Sequence, residues 1–209
     1  MMWLSILLTI LTGYLLGNLN GAVCMSNLVA HEDVRSHGSG NAGLTNFIRN
    51  YGAGKSLSVI LIDGGKAALS CLVGGMLLEP YGMYDEGMAI GGAAVMLGHV
   101  FPALLGFRGG KGVLSGFFVA LTIDWRIALL ILAVFAVAYF ATQYVSLGSA
   151  LGAAGFGAGF VIFYYDNPVV MICGLCMAAF VIIMHRENIR RLIKGQERKT
   201  NLFGKGNQK

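Results

Sequence analysis

The sequence predicts an all-α integral membrane protein with seven transmembrane helices, its N-terminus outside and its C-terminus cytoplasmic. Three observations carry that prediction. Hydrophobic residues make up 56% of the 209 and charged residues only 12%, with a mean hydropathy of +0.69; a soluble domain has roughly 25% charge. The apolar residues form long stretches separated by short polar loops. Lys and Arg gather in alternate loops, as cytoplasmic loops require.

The elements follow in order. The first stretch, 3–29, has no basic residue before its apolar run and contains Asn18, Asn20 and Asn27. It therefore reads as a retained span and not a cleaved leader. The second and third cover 55–78 and 87–106, the latter closing near Pro102. The fourth, 112–124, falls short of the ~20 residues an upright crossing needs. It is either shielded by its neighbours or does not cross fully. The remaining three cover 126–144, 147–165 and 168–185. With the N-terminus outside, the inner loops hold Arg35, Arg49, Lys55, Arg108, Lys111 and the basic run from Arg186 to Lys209. The outer loops hold Glu79, Asp85, Glu86, Asp124 and Asp166, with Arg126 their one cation. Dropping the fourth span would break this pattern. Many of the 31 glycines lie inside spans, where small residues let helices approach closely. No duplicated half is visible, so 1–209 reads as one membrane-embedded domain with a loose polar tail over 196–209.

Composition also excludes. A net charge of +5 without a long basic helix or aromatic platform outside the apolar segments argues against nucleic-acid binding; anionic lipid facing the inner loops explains it better. Cys24, Cys71, Cys173 and Cys176 all sit in apolar runs. Cys173-Gly-Leu-Cys176 has redox or ligand spacing but no second pair, so no metal is expected.

Three inner stretches carry the chemistry. His37-Gly-Ser39-Gly40-Asn41-Ala-Gly-Leu-Thr45-Asn46 with Arg49 combines glycine-freed amides, neutral donors and a forked cation, which together suit phosphate. Gly98-His-Val-Phe-Pro102 leads to Phe107-Arg-Gly109-Gly110-Lys111-Gly112. This also resembles a phosphate cradle, although Arg108 and Lys111 can equally be positive-inside anchors. It is not a nucleotide-binding P-loop, because the upstream Gly and the Ser/Thr after Lys are missing; Gly54-Lys55-Ser56 fails as well, with Arg at 49. The third stretch runs from His185 to Glu197. His185 and Asn188 lie three apart on one helical face, and the other cations suit headgroups or water. Asp63 and Lys66 are three apart within the second span and are either a functional pair or a structural one. Ser146 and Ser149 open the sixth span, as caps or phosphate donors.

Together these motifs resemble the PlsY family, bacterial membrane acyl-phosphate:glycerol-3-phosphate acyltransferases. The resemblance rests on Gly38 to Asn46 with Arg49, Gly98 to Gly112, Tyr144-Val-Ser146-Leu-Gly-Ser149, and His185 through Glu197, in that order. It implies seven spans, a cytoplasmic-facing active site in the inner membrane and no cofactor. It also implies acyl transfer from acyl phosphate to the 1-hydroxyl of sn-glycerol 3-phosphate. The products would be lysophosphatidic acid and phosphate, at the first step of phospholipid synthesis. The implied active-site residues are Ser39, Arg49, Lys111, a serine of the 146/149 pair, His185 and Asn188. Departures from the family pattern include Asn18-Leu-Asn-Gly21, the residue after Lys66, Arg108 for Lys and Leu44 for Ala.

On this reading Arg49 and Lys111 bind phosphate, with Ser39, Gly40, Asn41, Thr45, Asn46, Gly109, Gly110, Ser146 and Ser149 as further binding groups. Asn188 supports the oxyanion or a headgroup. The proton acceptor is His185 or a substrate phosphate oxygen. Acyl phosphate is already activated, so no acyl-enzyme is needed. No His is followed five positions later by Asp, which argues against the acyl-CoA type of enzyme. The expected partners are the two substrates and membrane lipid, with the protein a monomer or weak oligomer. The competing class is an organic-phosphate transporter, which would show polar breaks open to both faces.

Overall fold

The computed structural model describes residues 1–199. Its helices are α1 (Met2–Gly17), α2 (Gly21–Ala30), α3 (Leu44–Tyr51), α4 (Ser56–Leu78), α5 (Tyr84–Val100), α6 (Val113–Ile123), α7 (Trp125–Thr142), α8 (Val145–Phe163), α9 (Pro168–Met184) and α10 (Arg186–Ile193). No strand occurs among the described residues. Five segments are long and apolar enough to cross a membrane: Met2–Ala30, Ala53–Tyr81, Tyr84–Leu105, Trp125–Thr142 and Val145–Phe163. A sixth arises if α9 and α10, bent by 53° at His185, count together. α6 has 11 residues and reaches only about 16 Å, about half a hydrocarbon core. Large apolar side chains on these helices face outward, as with Val137 at 73% and Phe140 at 63% exposure. A soluble protein would hide such a belt; in an integral membrane protein, lipid covers it.

Helix ends follow local chemistry. Asp124 caps α7 by accepting from Arg126 N at 2.8 Å, and Asn167 caps α9, where Pro168 holds the first helical position. Between α4 and α5 the packing is backbone against backbone. A Cβ on Gly74 would stand 2.2 Å from Gly87 O, and the converse approach is equally tight. Any side chain there would push the helices apart. The main core joins α4, α5, α6, α7, α8 and α9 through residues such as Val95, Met96, Val119, Ile127 and Phe160. A second, smaller core of Ala22, Val23, Val34, Ala42, Phe47 and Val59 lies beneath the loop after α2 and fixes its shape.

One expected element differs. The first span does not run unbroken over 3–29; the helix stops at Gly17 and restarts at Gly21. Asn20 has extended backbone and its side chain accepts from Val23 N at 3.0 Å, capping α2. Asn18 Nδ2 donates back to Tyr14 O at 2.7 Å, while its Oδ1 accepts from Leu104 N at 3.0 Å. The orphaned groups at the break meet a buried ion pair on α4. Lys66 Nζ donates to Gly17 O at 3.2 Å and to Leu19 O, and Asp63 Oδ1 accepts from Gly21 N at 3.0 Å. A cation thus faces a helix C-terminus and an anion a helix N-terminus, the favourable sense for both dipoles.

Connectivity places the loops at two ends. One end gathers 31–43, 52–55, 101–112, 143–144 and 185–199. The other gathers residue 1, 79–83, 124 and 164–167. Of the tail expected to be loose over 196–209, residues 200–209 lie outside the described residues; 196–199 are irregular, with Glu197 held as described below.

Candidate active site

The loop after α2 is built around Asn46, which is 2% exposed. Its Nδ2 lies 2.9 Å from Val34 O and 3.1 Å from both His37 O and Asn41 O. Its Oδ1 accepts from Ser39 N at 2.9 Å. Asn46, expected as a substrate donor, thus has its polar atoms occupied by the loop backbone. Asn20 adds a second tie, donating to Ala42 O at 3.0 Å. Asn41 is half-buried, while Ser39 and Gly40 stay exposed, Gly40 with φ +70°. α3 then turns Phe47 inward, and Thr45 and Arg49, four apart, share another face with Arg49 exposed.

The second loop folds back on the end of α5. Gly109 N donates to Val100 O and Gly110 N to His99 O, both at 3.1 Å. These amides, expected to face an anion, therefore cap α5 instead. What the two glycines provide is close approach. A Cβ on Gly109 would stand 2.0 Å from His99 O, and one on Gly110 would stand 2.2 Å from His99 Nε2 and 2.8 Å from Ala42 O. Gly110 thereby brings the second loop against the first. Arg35 completes the junction: its Nη1 donates to Leu105 O at 2.8 Å and Arg108 O at 2.9 Å. Its Nε and Nη2 grip Asp33, and the guanidinium holds the Asp33 carboxyl below its usual range.

Lys111, next in sequence, reaches the third segment. Its Nζ donates to Asn188 Oδ1 on α10. Asn188 Nδ2 in turn donates to Glu197 Oε1 at 2.7 Å, and Arg191 Nε donates to Glu197 Oε2 at 2.7 Å. Burial of Glu197 would raise its pKa, but Asn188, Arg191 and the nearby Ser146 hydroxyl prevail and hold it below the ordinary glutamate value. Burial pushes Lys111 below the ordinary lysine value, helped by Arg191 and opposed by Glu197. Ser146 and Ser149 sit buried at the start of α8, and the Ser146 hydroxyl lies beside the Glu197 carboxylate. His185 stands at the α9–α10 bend, 3% exposed, with Nδ1 at 2.8 Å from Val181 O. A carbonyl only accepts, so Nδ1 carries a proton, and in the neutral ring Nε2 keeps its lone pair.

All three segments thus meet at one end of the bundle. Lys111, Asn188, Ser146 and His185 form one rim; Ser39 stands on the adjoining loop, and Thr45 and Arg49 on α3 behind it. Four residues that organise this site were not singled out for that work: Arg35, Asn20, His99 and Glu197. Asn20 and His99 carry a sequence signal, being polar residues inside apolar stretches; Glu197 closes the third stretch without a role that its type alone assigns, and Arg35 reads as an inner-loop cation.

A model of the family described as glycerol-3-phosphate acyltransferase matches residues 7–195. The chain belongs to that family. Among its relatives is a glycerol-3-phosphate acyltransferase of Anaeromyxobacter sp. (strain Fw109-5), 38% identical over 194 residues that cover 92% of this chain and 95% of the relative. The crystal structure of PlsY (YgiH), an integral membrane glycerol 3-phosphate acyltransferase, in its glycerol 3-phosphate form has a similar fold. It matches with a TM-score of 0.83 and 29% identity, covering 96% of this chain and all of that one. The lysophosphatidic acid form of PlsY matches with a TM-score of 0.81 and 28% identity, over 95% of this chain and 96% of that one. Within this family the convergence of the three segments is the natural candidate for the active site.

Proposed function

We propose that the protein transfers a fatty acyl group from an acyl phosphate to the 1-hydroxyl of sn-glycerol 3-phosphate, releasing phosphate and lysophosphatidic acid. Membership of an acyltransferase family speaks for an enzyme and against the transporter alternative. The reading is carried by one observation: three distant, cation-bearing segments meet at one end of the helix bundle, joined by the Lys111–Asn188 contact and the Gly110–Ala42 approach.

The reaction needs little covalent help. The hydroxyl oxygen attacks the acyl carbonyl, the carbon–oxygen bond to phosphate breaks, and phosphate leaves with the electron pair. The protein has to align hydroxyl and carbonyl and stabilise the developing oxyanion. Arg49 and Lys111 hold phosphate, with Ser39, Gly40, Asn41, Thr45, Ser146 and Ser149 as neutral donors around them. Asn46, Gly109 and Gly110 serve by shaping the loops. Asn188 offers its amide to the oxyanion or a headgroup once substrate displaces its present partners. His185 Nε2, with its lone pair free, takes the hydroxyl proton, or a phosphate oxygen does so while His185 orients the acceptor. The acyl chain lies among apolar helices while both headgroups remain at the polar edge.

The chain acts as a single domain, as monomer or weak oligomer, without cofactor. Seven membrane elements, counting the short α6, leave the termini on opposite sides, with the N-terminus outside and the site on the cytoplasmic face of the bacterial inner membrane. The Lys and Arg distribution supports that orientation, and single cysteines at Ser39 and Tyr81, labelled from either face of sealed vesicles, test it. The function itself is tested on purified protein in detergent. Phosphate should be released from palmitoyl phosphate only when glycerol 3-phosphate is present, and palmitoyl-CoA should not substitute. Release without glycerol 3-phosphate, or equal use of the thioester, would overturn the proposal.

A further inference from the structure

Asp63 on α4, Lys66 one turn later and His99 at the end of α5 form a charged cluster between helices, with side chains 1%, 1% and 4% exposed. Lys66 Nζ lies 2.8 Å from Asp63 Oδ1 and 2.9 Å from His99 Nδ1. Ionisable groups at such depth are costly, and a pair that served only to hold two helices would be replaceable by apolar packing. This cluster does more, because each member also holds backbone that leads to a site loop. Lys66 and Asp63 secure the two sides of the break at 18–20 through Gly17 O and Gly21 N. Asn20, inside that break, donates to Ala42 O at 3.0 Å. His99 faces the other loop. An ammonium has no lone pair, so His99 Nδ1 accepts from Lys66 and the ring proton belongs on Nε2. That nitrogen packs on Gly110, where an added Cβ would be only 2.2 Å away, and Ala42 O borders the same spot at 2.8 Å.

The cluster therefore reaches Gly110, beside Lys111, directly through His99, and Ala42, in the Ser39–Arg49 segment, through the break at 18–20 and its Asn20. We propose that Asp63, Lys66 and His99 are positioning residues that set the spacing between the Ser39–Arg49 segment and Lys111, and thereby the affinity for glycerol 3-phosphate, without contacting it. This rests on the site reading above, in which both segments hold substrate phosphate.

The test uses the full-length purified enzyme and two replacements at one position. His99→Asn keeps an acceptor where Nδ1 faces Lys66 but removes the atoms against Gly110. His99→Gln places an amide nitrogen near the position of Nε2. KM for glycerol 3-phosphate should rise on the order of tenfold in His99→Asn, with a smaller change in kcat, since small misplacements of a binding group are costly. His99→Gln should return KM most of the way to the wild-type value. A purely structural cluster predicts a lower thermal midpoint in both variants with KM unchanged, and that result overturns the inference. If His99→Asn does not fold, Asp63→Asn carries the same test: it keeps an acceptor for Gly21 N but weakens the grip on Lys66, and an unchanged KM there is equally fatal. Arg49→Ala in the same assay separates the two claims. A raised KM in Arg49→Ala with a normal one in His99→Asn sinks this inference alone. A normal KM in Arg49→Ala sinks the site reading, and the inference with it.

Discussion

The two ends of the helix bundle are built on different principles. At the end with residues 79–83, 124 and 164–167, connections are short and largely self-sufficient. Asp124 caps its own helix and pairs with Arg126 two residues on, at 2.6 Å; Asn167 caps α9 and reaches across once, to Glu86 at 3.0 Å. At the opposite end local bonds are joined by several that reach far along the chain. Arg35 bonds to carbonyls at 105 and 108, Asn20 to 42 and Lys111 to 188. Local caps only need to finish helices. Long-range bonds between loops hold distant pieces in register, which a binding site requires and a turn does not. The difference teaches where the chemistry is before any ligand is considered.

Mutations at the two ends should therefore separate cleanly. The largest effect is expected for His185→Ala, a loss on the order of 10³-fold in kcat with KM nearly unchanged, read by steady-state kinetics of phosphate release. A near-normal rate would remove His185 as the base and leave the phosphate-assisted route. Arg49→Ala should follow, with kcat/KM down roughly 10- to 100-fold, as expected for a lost hydrogen bond to a charged group, mostly through KM. Next comes pH. Lys111 sits below the ordinary lysine value because it is buried, so its charge is lost as pH rises through that lowered value. The alkaline limb of kcat/KM should accordingly begin below the free-lysine value of about 10.4, and Lys111→Arg, whatever its rate, should lack that limb.

A smaller effect is expected at Glu197. Its carboxyl is held below the ordinary glutamate value by Asn188, Arg191 and Ser146 against burial. The stability this contributes is present above the unfolded value of about 4.3 and lost as pH falls through the lower folded value. Amide exchange in α10 should accelerate over that acidic window in the wild type. Glu197→Gln should show fast exchange throughout and no step. The smallest effect belongs to the far end: Asp124→Ala should cost about 1 kcal/mol of stability as a lost cap, seen as a lower thermal midpoint, with kinetics unchanged. A kinetic defect there would erase the contrast between the ends.

Much of the fold was legible because lipid-facing helices write their boundaries in composition. The stretches 55–78 and 126–144 became Ser56–Leu78 and Trp125–Thr142. The break at 18–20 was not, because its flanks are equally apolar and the partners that satisfy it, Asp63 and Lys66, lie more than 40 residues away. At the site, the clustering of Lys111, His185 and Asn188 could be anticipated from loop sidedness and motif chemistry. The work of Asn46, Gly109 and Gly110 could not. A glycine or amide in a polar loop reads as a ligand group, whereas in the fold Gly109 N and Gly110 N donate to α5 and Asn46 is 2% exposed. Glu197 is the converse: it closes the third stretch with no role of its own in the sequence, yet accepts from Asn188.

The central claim is that Arg49 and Lys111 serve one anion. Calorimetric titration of glycerol 3-phosphate into wild-type protein, Arg49→Ala, Lys111→Ala and the double variant tests it most directly. If both cations hold the same phosphate, each single variant binds weakly and the double loses less than the sum of the two, a coupling of at least about 0.5 kcal/mol. Strictly additive losses, or an unchanged affinity in either single variant, would contradict it.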